Sequence, residues 1–429
     1  MYRRTTRASL LALSLVVLAG CSSGSATTDS KATGSEATAE SSSGAGHGAI
    51  EGAAEVAEPQ LHLVGIDAEG KAAMLDLLNG TETSLSSVAP AEKVSTDGRY
   101  VFAADETGVN IIDSGVWTWD HTDHFHYYRA EARSLERVPG EGVATISTGM
   151  LSTAGATGLF FPTSGEAVLL DNKSLSEGKI NETLRLKGTP HAGLIAPLGK
   201  GAVVSEAEAG QPESSQKASK LNAVDPEGKT LESIDCAEPA GTITTRVALV
   251  IGCQDGAVLA TSEGEKPVLE KISYPDEGGA PATRFEARKG RPTVAGIGDG
   301  KGIWLLDTRE RSWEWLETET PVVAATAVDD ADEHVVAVGE DGTVQVYDAQ
   351  SGKQLAATEP LLAATLADQD RAANVSISVD GQRAYVNAAA TEDNTAEGRV
   401  YEIDYADQAR VARELELPVK PVHLAETGR

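Results

Sequence analysis

Aromatic, histidine and cysteine residues are scarce in this sequence. Of its 429 residues, 4% are aromatic, eight are histidine and three are cysteine. Positively charged residues are also few: the chain has 36 Lys and Arg and 65 Asp and Glu, which gives a formal net charge of -29. So acidic a chain repels phosphate groups. The composition therefore argues against a protein that binds nucleic acid.

Almost no stretch of the chain has the periodicity of an amphipathic helix, whereas apolar residues and glycine are plentiful. Hydrophobic residues make up 41% of the chain, which is enough for a sizeable core, and the 43 glycines favour many tight turns. An all-β propeller reaches this length as a single domain. The composition thus favours an all-β fold.

A pattern of about 47 residues recurs about eight times from residue 60 onward. Each copy has a glycine turn, a short β-branched strand, a second turn, and an apolar strand that usually ends at Asp. Residues 94–102 with 108–113 form one copy, and residues 380–386 with 399–404 form the last. A period of 40 to 50 residues with short strands is typical of a β-propeller.

The two ends of the repeat region complement each other. Residues 419–425 resemble the inner strand that opens each copy, and the first copy lacks such a strand before Leu61. Head and tail are therefore predicted to share one blade and to close the ring, which removes the exposed sheet edge. This gives eight blades, with seven as the alternative, over a propeller domain of residues 60–429.

Residues 1–20 have the pattern of a targeting segment. Arg3, Arg4 and Arg7 precede an apolar run at 10–18 that is too short to span a bilayer. Leu18-Ala19-Gly20-Cys21 resembles a bacterial lipobox, which implies cleavage before Cys21 and lipid attachment to its sulfur. The alternative is an ordinary signal peptide with an incidental cysteine. We expect an extracytoplasmic protein held at the cell membrane by this lipid.

Residues 21–59 are rich in Ser, Thr, Gly, Ala and Glu and nearly devoid of large apolar side chains. Such a segment cannot bury enough surface to offset the entropy lost on ordering. We predict a flexible tether between the lipidated Cys21 and the propeller.

Cys236 and Cys253 remain once Cys21 is assigned to the lipid. Disulfides persist outside the cytoplasm. We predict a disulfide between these two residues, across adjacent strands. Two buried free thiols, or two zinc ligands, are the alternatives.

Residues 117–128 hold three of the eight histidines, His121, His124 and His126. Imidazole is the commonest protein ligand for zinc. Side chains alternate faces along a strand, so His124 and His126 point the same way if Phe125 is extended. A solvated cluster in a polar loop is the alternative. Because the motif follows a third strand and can reach the channel mouth, His191, at an inner-strand position, is the first choice for a distant ligand.

These residues also carry a resemblance to a known family. The segment 116–130, Pro190-His191 and the closing residues 424–429 resemble the AztD-type zinc chaperones. The resemblance implies a secreted propeller, here expected as a monomer, that binds Zn²⁺ and passes it to the zinc-binding protein of an ABC importer. It also implies a zinc role for His121, His124, His126 and His191.

Two other functions stay open from the sequence. A metal-dependent hydrolase, such as a lactonase-like propeller, would need an open zinc position and a general base, for which Asp120 or Asp123 could serve. A propeller that only scaffolds other proteins would need no metal. We favour the zinc carrier, which is not an enzyme.

Overall fold

The computed structural model describes residues 50, 52–120, 124–208, 217–264, 266–391 and 397–429. The predicted signal peptide, the lipidated Cys21 and most of the tether lie outside these residues and stay predictions. Nowhere in the described ranges is there a helix long and apolar enough to cross a membrane.

The described residues are organised almost entirely as short strands. The first half of the chain contains β1 (Ala54–Val56), β2 (His62–Ile66), β3 (Ala72–Asp76), β4 (Glu82–Ser84), β5 (Lys93–Thr96), β6 (Tyr100–Asp105), β7 (Gly108–Asp113), β8 (Val116–Asp120), β9 (Phe125–Arg129), β10 (Arg133–Ser134), β11 (Val138–Pro139), β12 (Thr145–Thr148), β13 (Ala156–Phe161), β14 (Glu166–Asp171), β15 (Glu182–Lys187), β16 (Ile195–Leu198), β17 (Gly201–Ala207), β18 (Ala218–Val224) and β19 (Thr230–Asp235).

The second half continues in the same way. It contains β20 (Ala240–Thr244), β21 (Leu249–Cys253), β22 (Gly256–Glu263), β23 (Lys266–Ser273), β24 (Arg284–Glu286), β25 (Thr293–Ile297), β26 (Ile303–Asp307), β27 (Ser312–Leu316), β28 (Val322–Ala327), β29 (His334–Gly339), β30 (Val344–Asp348), β31 (Lys353–Ala357), β32 (Ile377–Val379), β33 (Ala384–Ala388), β34 (Arg399–Asp404), β35 (Arg410–Leu415) and β36 (His423–Thr427). Short helices α1 (Asn172–Ser176), α2 (Ala363–Ala367) and α3 (Gln369–Ala372) lie between strands.

These strands form eight antiparallel blades, so the all-β propeller prediction and its count of eight are confirmed. Blade 1 has the order β36-β2-β3-β4, and blade 2 has β5-β6-β7 with β10 and β11 both paired to β7. Blades 3 to 8 are β12–β15, β16–β19, β20–β23, β24–β27, β28–β31 and β32–β35, each with its strands in chain order. An additional small sheet has the order β1-β9-β8.

The hydrophobic core lies between neighbouring blades. The second and third strands of a blade are buried on both faces, as in β2 and β3, whereas an outer strand such as β19 alternates exposed and half-buried residues. Between blades 2 and 3, for example, Tyr100 and Phe102 pack against Leu159 and Phe161. Buried middle strands explain the continuous apolar runs in each repeat.

The last strand closes the ring as predicted. In β36, His423 lies opposite Ile66 and Thr427 opposite His62, so the C-terminal strand becomes the inner strand of blade 1. Beyond it, the amide of Gly428 donates to the carbonyl of Gly98 in blade 2 at 2.7 Å. The closed ring leaves no unpaired inner edge in blade 1.

Cys236 and Cys253 form the predicted disulfide, and both residues are buried. Its location differs from the prediction, because Cys236 follows β19, the outer strand of blade 4, while Cys253 ends β21 in blade 5. The bridge therefore joins two blades rather than adjacent strands of one sheet. The chain passes from blade 4 to blade 5 between the two cysteines, which brings them together.

We expect the Cys236→Ala/Cys253→Ala double variant to lose about 3 kcal/mol of unfolding free energy, because the bridge closes a loop with a sequence separation of 17. Chemical denaturation measures the loss. Wild type under reducing conditions that break the bridge serves as the comparison and should lose a similar amount. A double variant as stable as oxidised wild type would contradict the prediction.

A cavity of about 310 Å³ lies in the central channel, lined by inner-strand residues of blades 1, 2, 3, 5, 6 and 8. Glu286 of β24 faces it, and its side chain reaches water in the channel. Although the side chain is exposed to the cavity, the surrounding ring partly desolvates its carboxyl group and raises the pKa of Glu286 to about 7, while the positive charge of Arg284 acts in the opposite direction.

The raised pKa of Glu286 makes the stability of the ring depend on pH. The folded protein retains this proton up to about pH 7, whereas the unfolded chain releases it near its ordinary, lower pKa, so the contribution of Glu286 to stability falls between these values as the pH rises. We expect Glu286→Gln to raise the thermal midpoint relative to wild type, and to do so more at pH 8 than at pH 5. Equal differences at the two pH values would argue against a raised pKa.

Candidate metal centre

A β-hairpin interrupts blade 2 and carries the histidine cluster. Strands β8 and β9 lie in the connection between β7 and the outer strands β10 and β11, and they pair from Val116 opposite Arg129 to Asp120 opposite Phe125. β1 pairs with the free edge of β9 and places Glu55 opposite Tyr128. Residues 54–56 were predicted to be part of the flexible tether and are instead a strand, because the backbone of β9 supplies their hydrogen-bond partners.

Aromatic packing and a buried ion pair hold the base of the hairpin. The rings of Trp117 and Tyr128 stack with centroids 5.0 Å apart, and both residues are buried. The guanidinium of Arg99 lies 3.8 Å from the Trp117 ring and donates from Nε and Nη2 to the carboxylate of Asp113, at 2.8 and 2.9 Å. The hairpin thus begins from a rigid base on blade 2.

Farther along, the hairpin contacts other blades around the mouth of the channel. The Thr118 hydroxyl donates to the carbonyl of Gly428, next to the closing strand, at 2.8 Å. Asp120 accepts from Nη2 of Arg246 at 2.6 Å, and Arg246 lies in the turn between β20 and β21 of blade 5. The hairpin therefore extends across the channel mouth from blade 2 to blade 5, in agreement with the predicted position.

His124 and His126 converge at the outer end of the hairpin. Their Nε2 atoms lie 3.0 Å apart, and the side chains share one face, as the alternation of a strand predicts. His126 is 9% exposed, whereas His124 is exposed. On the other side of its ring, Nδ1 of His126 lies 2.5 Å from Oε1 of Glu55. One carboxylate and two imidazoles thus form a continuous chain of polar contacts.

The geometry of the two Nε2 atoms fits two ligands of one zinc ion. Nitrogens bound to a tetrahedral zinc at about 2.0–2.1 Å lie roughly 3.3 Å from each other. A proton on Nδ1 of His126 shared with Glu55 leaves the Nε2 lone pair available, the arrangement that metal-binding histidines commonly have. Without a metal, one ring can donate an N–H to the other.

Two nitrogens do not complete a zinc site. Within the described part of the chain, no group of three or more His, Cys, Asp or Glu side chains is placed to hold a metal ion. His121, a predicted zinc ligand, and Asp123, a candidate general base, lie outside the described residues. Their predicted roles stay predictions.

His191 lies on the other face of the ring and does not join the hairpin, so the predicted distant ligand is not brought to His124 and His126. It precedes the inner strand β16, in a connection between blades, whereas the hairpin connects a third strand to a fourth. The strands of a blade alternate in direction, so these two kinds of connection lie at opposite ends of the strands. A strand of about five residues places those ends roughly 15 Å apart.

The contacts of His191 also indicate a structural role. Its Nδ1 lies 2.7 Å from the carbonyl oxygen of Thr189, its Nε2 lies 2.9 Å from the hydroxyl of Ser205, and its ring packs edge-on against Phe160. Burial lowers the pKa of His191, and the contact with Thr189 acts in the opposite direction. A neutral His191 ring, with a hydrogen-bond partner at each nitrogen, thus helps to pack blade 3 against blade 4.

Glu55 is the site residue that sequence reasoning missed. It lies 71 positions from His126 in a segment that looks unstructured, and no local pattern marks it. Only the pairing of β1 with β9 brings it to the histidines.

Comparison with known proteins supports the fold. No family model matches the chain, and no match was found among curated proteins. The crystal structure of Citrobacter koseri AztD matches with a TM-score of 0.72 at 20% identity, over 87% of this chain and 99% of that one. Apo AztD from Citrobacter koseri gives 0.71 at 18% identity, over 86% and 99%.

A more distant match is the dihydro-heme d1 dehydrogenase NirN in complex with DHE, with a TM-score of 0.51 at 14% identity, over 86% of this chain and 75% of that one. At these identities, structural likeness establishes the fold. The resemblance to AztD read from the sequence is thus confirmed at the level of the fold.

The base of the hairpin should depend on Arg99. We expect Arg99→Ala to lower the unfolding free energy by about 3 kcal/mol, because among the described residues it leaves the buried carboxylate of Asp113 with the half-exposed Arg133 as its one ion-pair partner. Arg309→Ala, which removes the more exposed pairs with Asp307 and Asp329, should cost under about 1 kcal/mol. Similar losses in the two variants, measured by urea denaturation, would show that the Arg99 pair does not anchor the hairpin.

Proposed function

We propose that this protein is an extracytoplasmic zinc chaperone, which binds Zn²⁺ at the outer end of the hairpin and delivers it to the solute-binding protein of an ABC-type zinc importer. The observation that carries the proposal is the convergence of the His124 and His126 Nε2 atoms, 3.0 Å apart, with Glu55 at Nδ1 of His126. The family resemblance of residues 116–130 and the structural likeness to Citrobacter koseri AztD support it.

A carrier needs a metal site that a second protein can reach. His124 is exposed, while the base of the hairpin is buried and fixed to blade 2. A ligand of the acceptor protein can therefore approach the ion and replace imidazoles one at a time, without unfolding the ring. The predicted lipid on Cys21 would keep the protein, as a monomer, at the membrane where the importer works.

A binding role fits the surroundings of the site better than hydrolysis. A hydrolase needs a general base beside the metal-bound water. Asp120, one of the two candidates, is engaged by the guanidinium of Arg246 at 2.6 Å. We therefore propose zinc transfer without turnover of a substrate.

The proposal predicts one tight zinc ion per protein in chelator competition, and the loss of this ion in the His124→Ala/His126→Ala variant, because both described donors are then gone. His191→Ala is the matched control and should retain the ion, since His191 lies at the opposite face. Zinc binding by the double variant with wild-type affinity would exclude this site.

Delivery is a second, separate outcome. Zinc-loaded protein mixed with the metal-free solute-binding protein of a zinc importer should transfer its ion, and the two proteins separated afterwards should show the metal on the acceptor. A protein that retains all its zinc, or that releases it at the rate set by a chelator alone, would contradict a chaperone role while leaving the metal site intact.

A further inference from the structure

We propose that Glu55 is a positioning residue for the metal site and that its strand, β1, is a detachable element that controls how fast zinc leaves. The inference rests on the proposed function and adds to it a means of regulating release. It begins from a segment that precedes the propeller and yet contacts the candidate ligands.

Glu55 acts on the metal through His126. An acceptor at Nδ1 keeps the proton on that nitrogen, so that Nε2 carries the lone pair, and it fixes the orientation of the ring. A nearby carboxylate also makes Nε2 a stronger ligand. With β1 in place, His126 is thus prepared to bind zinc before the ion arrives.

The contact contributes little to the stability of the fold, which argues against a purely structural role. The Glu55 side chain is 48% exposed, and even a full ion pair with so exposed a partner is worth at most about 1 kcal/mol. The base of the hairpin is held instead by Trp117, Tyr128 and Arg99. The carboxylate of Glu55 can therefore be removed without loss of the fold.

β1 is weakly attached compared with the strand on the other side of β9. It consists of three residues at the edge of its sheet. Among the described strands it pairs with β9 alone, over three residue pairs, whereas β8 pairs with β9 over five. Ala54 and Glu55 are exposed, and Val56 is only half-buried. Short exposed edge strands open at low free energy. An extended segment of another protein could also take the place of β1 along β9.

Detachment of β1 would remove the carboxylate from Nδ1 of His126, and with it the acceptor that holds the proton on that nitrogen. Zinc would then be bound more weakly at the same time as the edge of β9 becomes available to an extended segment of another protein. When β1 is paired with β9, the protein retains zinc. When β1 is detached, zinc passes more readily to an acceptor protein.

Substitutions at Glu55 test the positioning role. In the full chain, Glu55→Ala should weaken zinc binding about 10-fold in chelator competition, and Glu55→Gln, which keeps an acceptor oxygen, should weaken it less. Glu58→Ala removes the same charge from the same exposed segment and should bind like wild type. Unchanged affinity in Glu55→Ala, or equal losses in Glu55→Ala and Glu58→Ala, would overturn the positioning role.

An engineered disulfide tests the detachment. Val56 and Tyr127 lie directly opposite each other, so Val56→Cys/Tyr127→Cys can tie β1 to β9. Stopped-flow release of zinc to a chelator should be at least about 5-fold slower in the oxidised variant and return to the wild-type rate after mild reduction. Wild type treated with the same reductant is the control, because its own disulfide is buried. Equal rates in the two states would exclude β1 as the controlling element.

These outcomes are separate from failure of the proposed function. If His124→Ala/His126→Ala binds zinc like wild type, the metal site itself is misplaced. If that variant loses zinc while the Glu55 and cross-linked variants behave like wild type, the site stands and only the role of β1 fails.

Discussion

The pairing of the C-terminal strand with blade 1 is the constraint on which the rest of the molecule depends. A ring of blades has no stable end of its own, and β36 supplies the inner strand that blade 1 lacks. The same closure also contacts the hairpin: the residue after β36 accepts a hydrogen bond from Thr118, and its amide donates to the turn of blade 2 that carries Arg99. Ring closure and the position of the hairpin are therefore coupled.

The aromatic base of the hairpin is buried, and its outer end is exposed. Trp117 and Tyr128 are buried against Arg99, His126 is nearly buried, and His124 and Phe125 are exposed. A rigid base limits the positions that the histidines can adopt, which reduces the entropy lost when a metal orders them. The exposed end leaves room for an incoming ligand. Both properties follow from one insertion in the connection of a single blade.

Much of the fold could be predicted from the sequence, because the signals are local and repeated. Turn glycines and buried strand pairs recur about every 47 residues, which gives eight blades, and the missing first strand indicates closure by the tail. The common face of His124 and His126 follows from the two-residue period of a strand. Each of these inferences needs only the residues of one repeat, or a comparison of the two ends of the repeat region.

The contacts that could not be predicted are those between distant segments. Glu55 contacts His126 because the three-residue strand β1 pairs with the inserted hairpin. Nothing in the composition of residues 54–56 indicates that pairing. His191 was placed correctly near an inner strand but on the wrong face for the hairpin, since its location depends on the direction of each strand. The disulfide partners were correct, yet they join two blades, because Cys236 lies beyond the last strand of blade 4.

The architecture separates metal binding from folding. In small zinc domains the binding free energy is also folding free energy, and removal of the ion unfolds the chain. Here the ring is closed by the pairing of β36 with β2, and a disulfide joins blades 4 and 5. The candidate ligands lie on an insertion outside the blades, so the strand pairing that closes the ring does not involve them. A metal bound at these ligands would leave without cost to the fold, unlike a structural zinc, and the proposed carrier role requires such release.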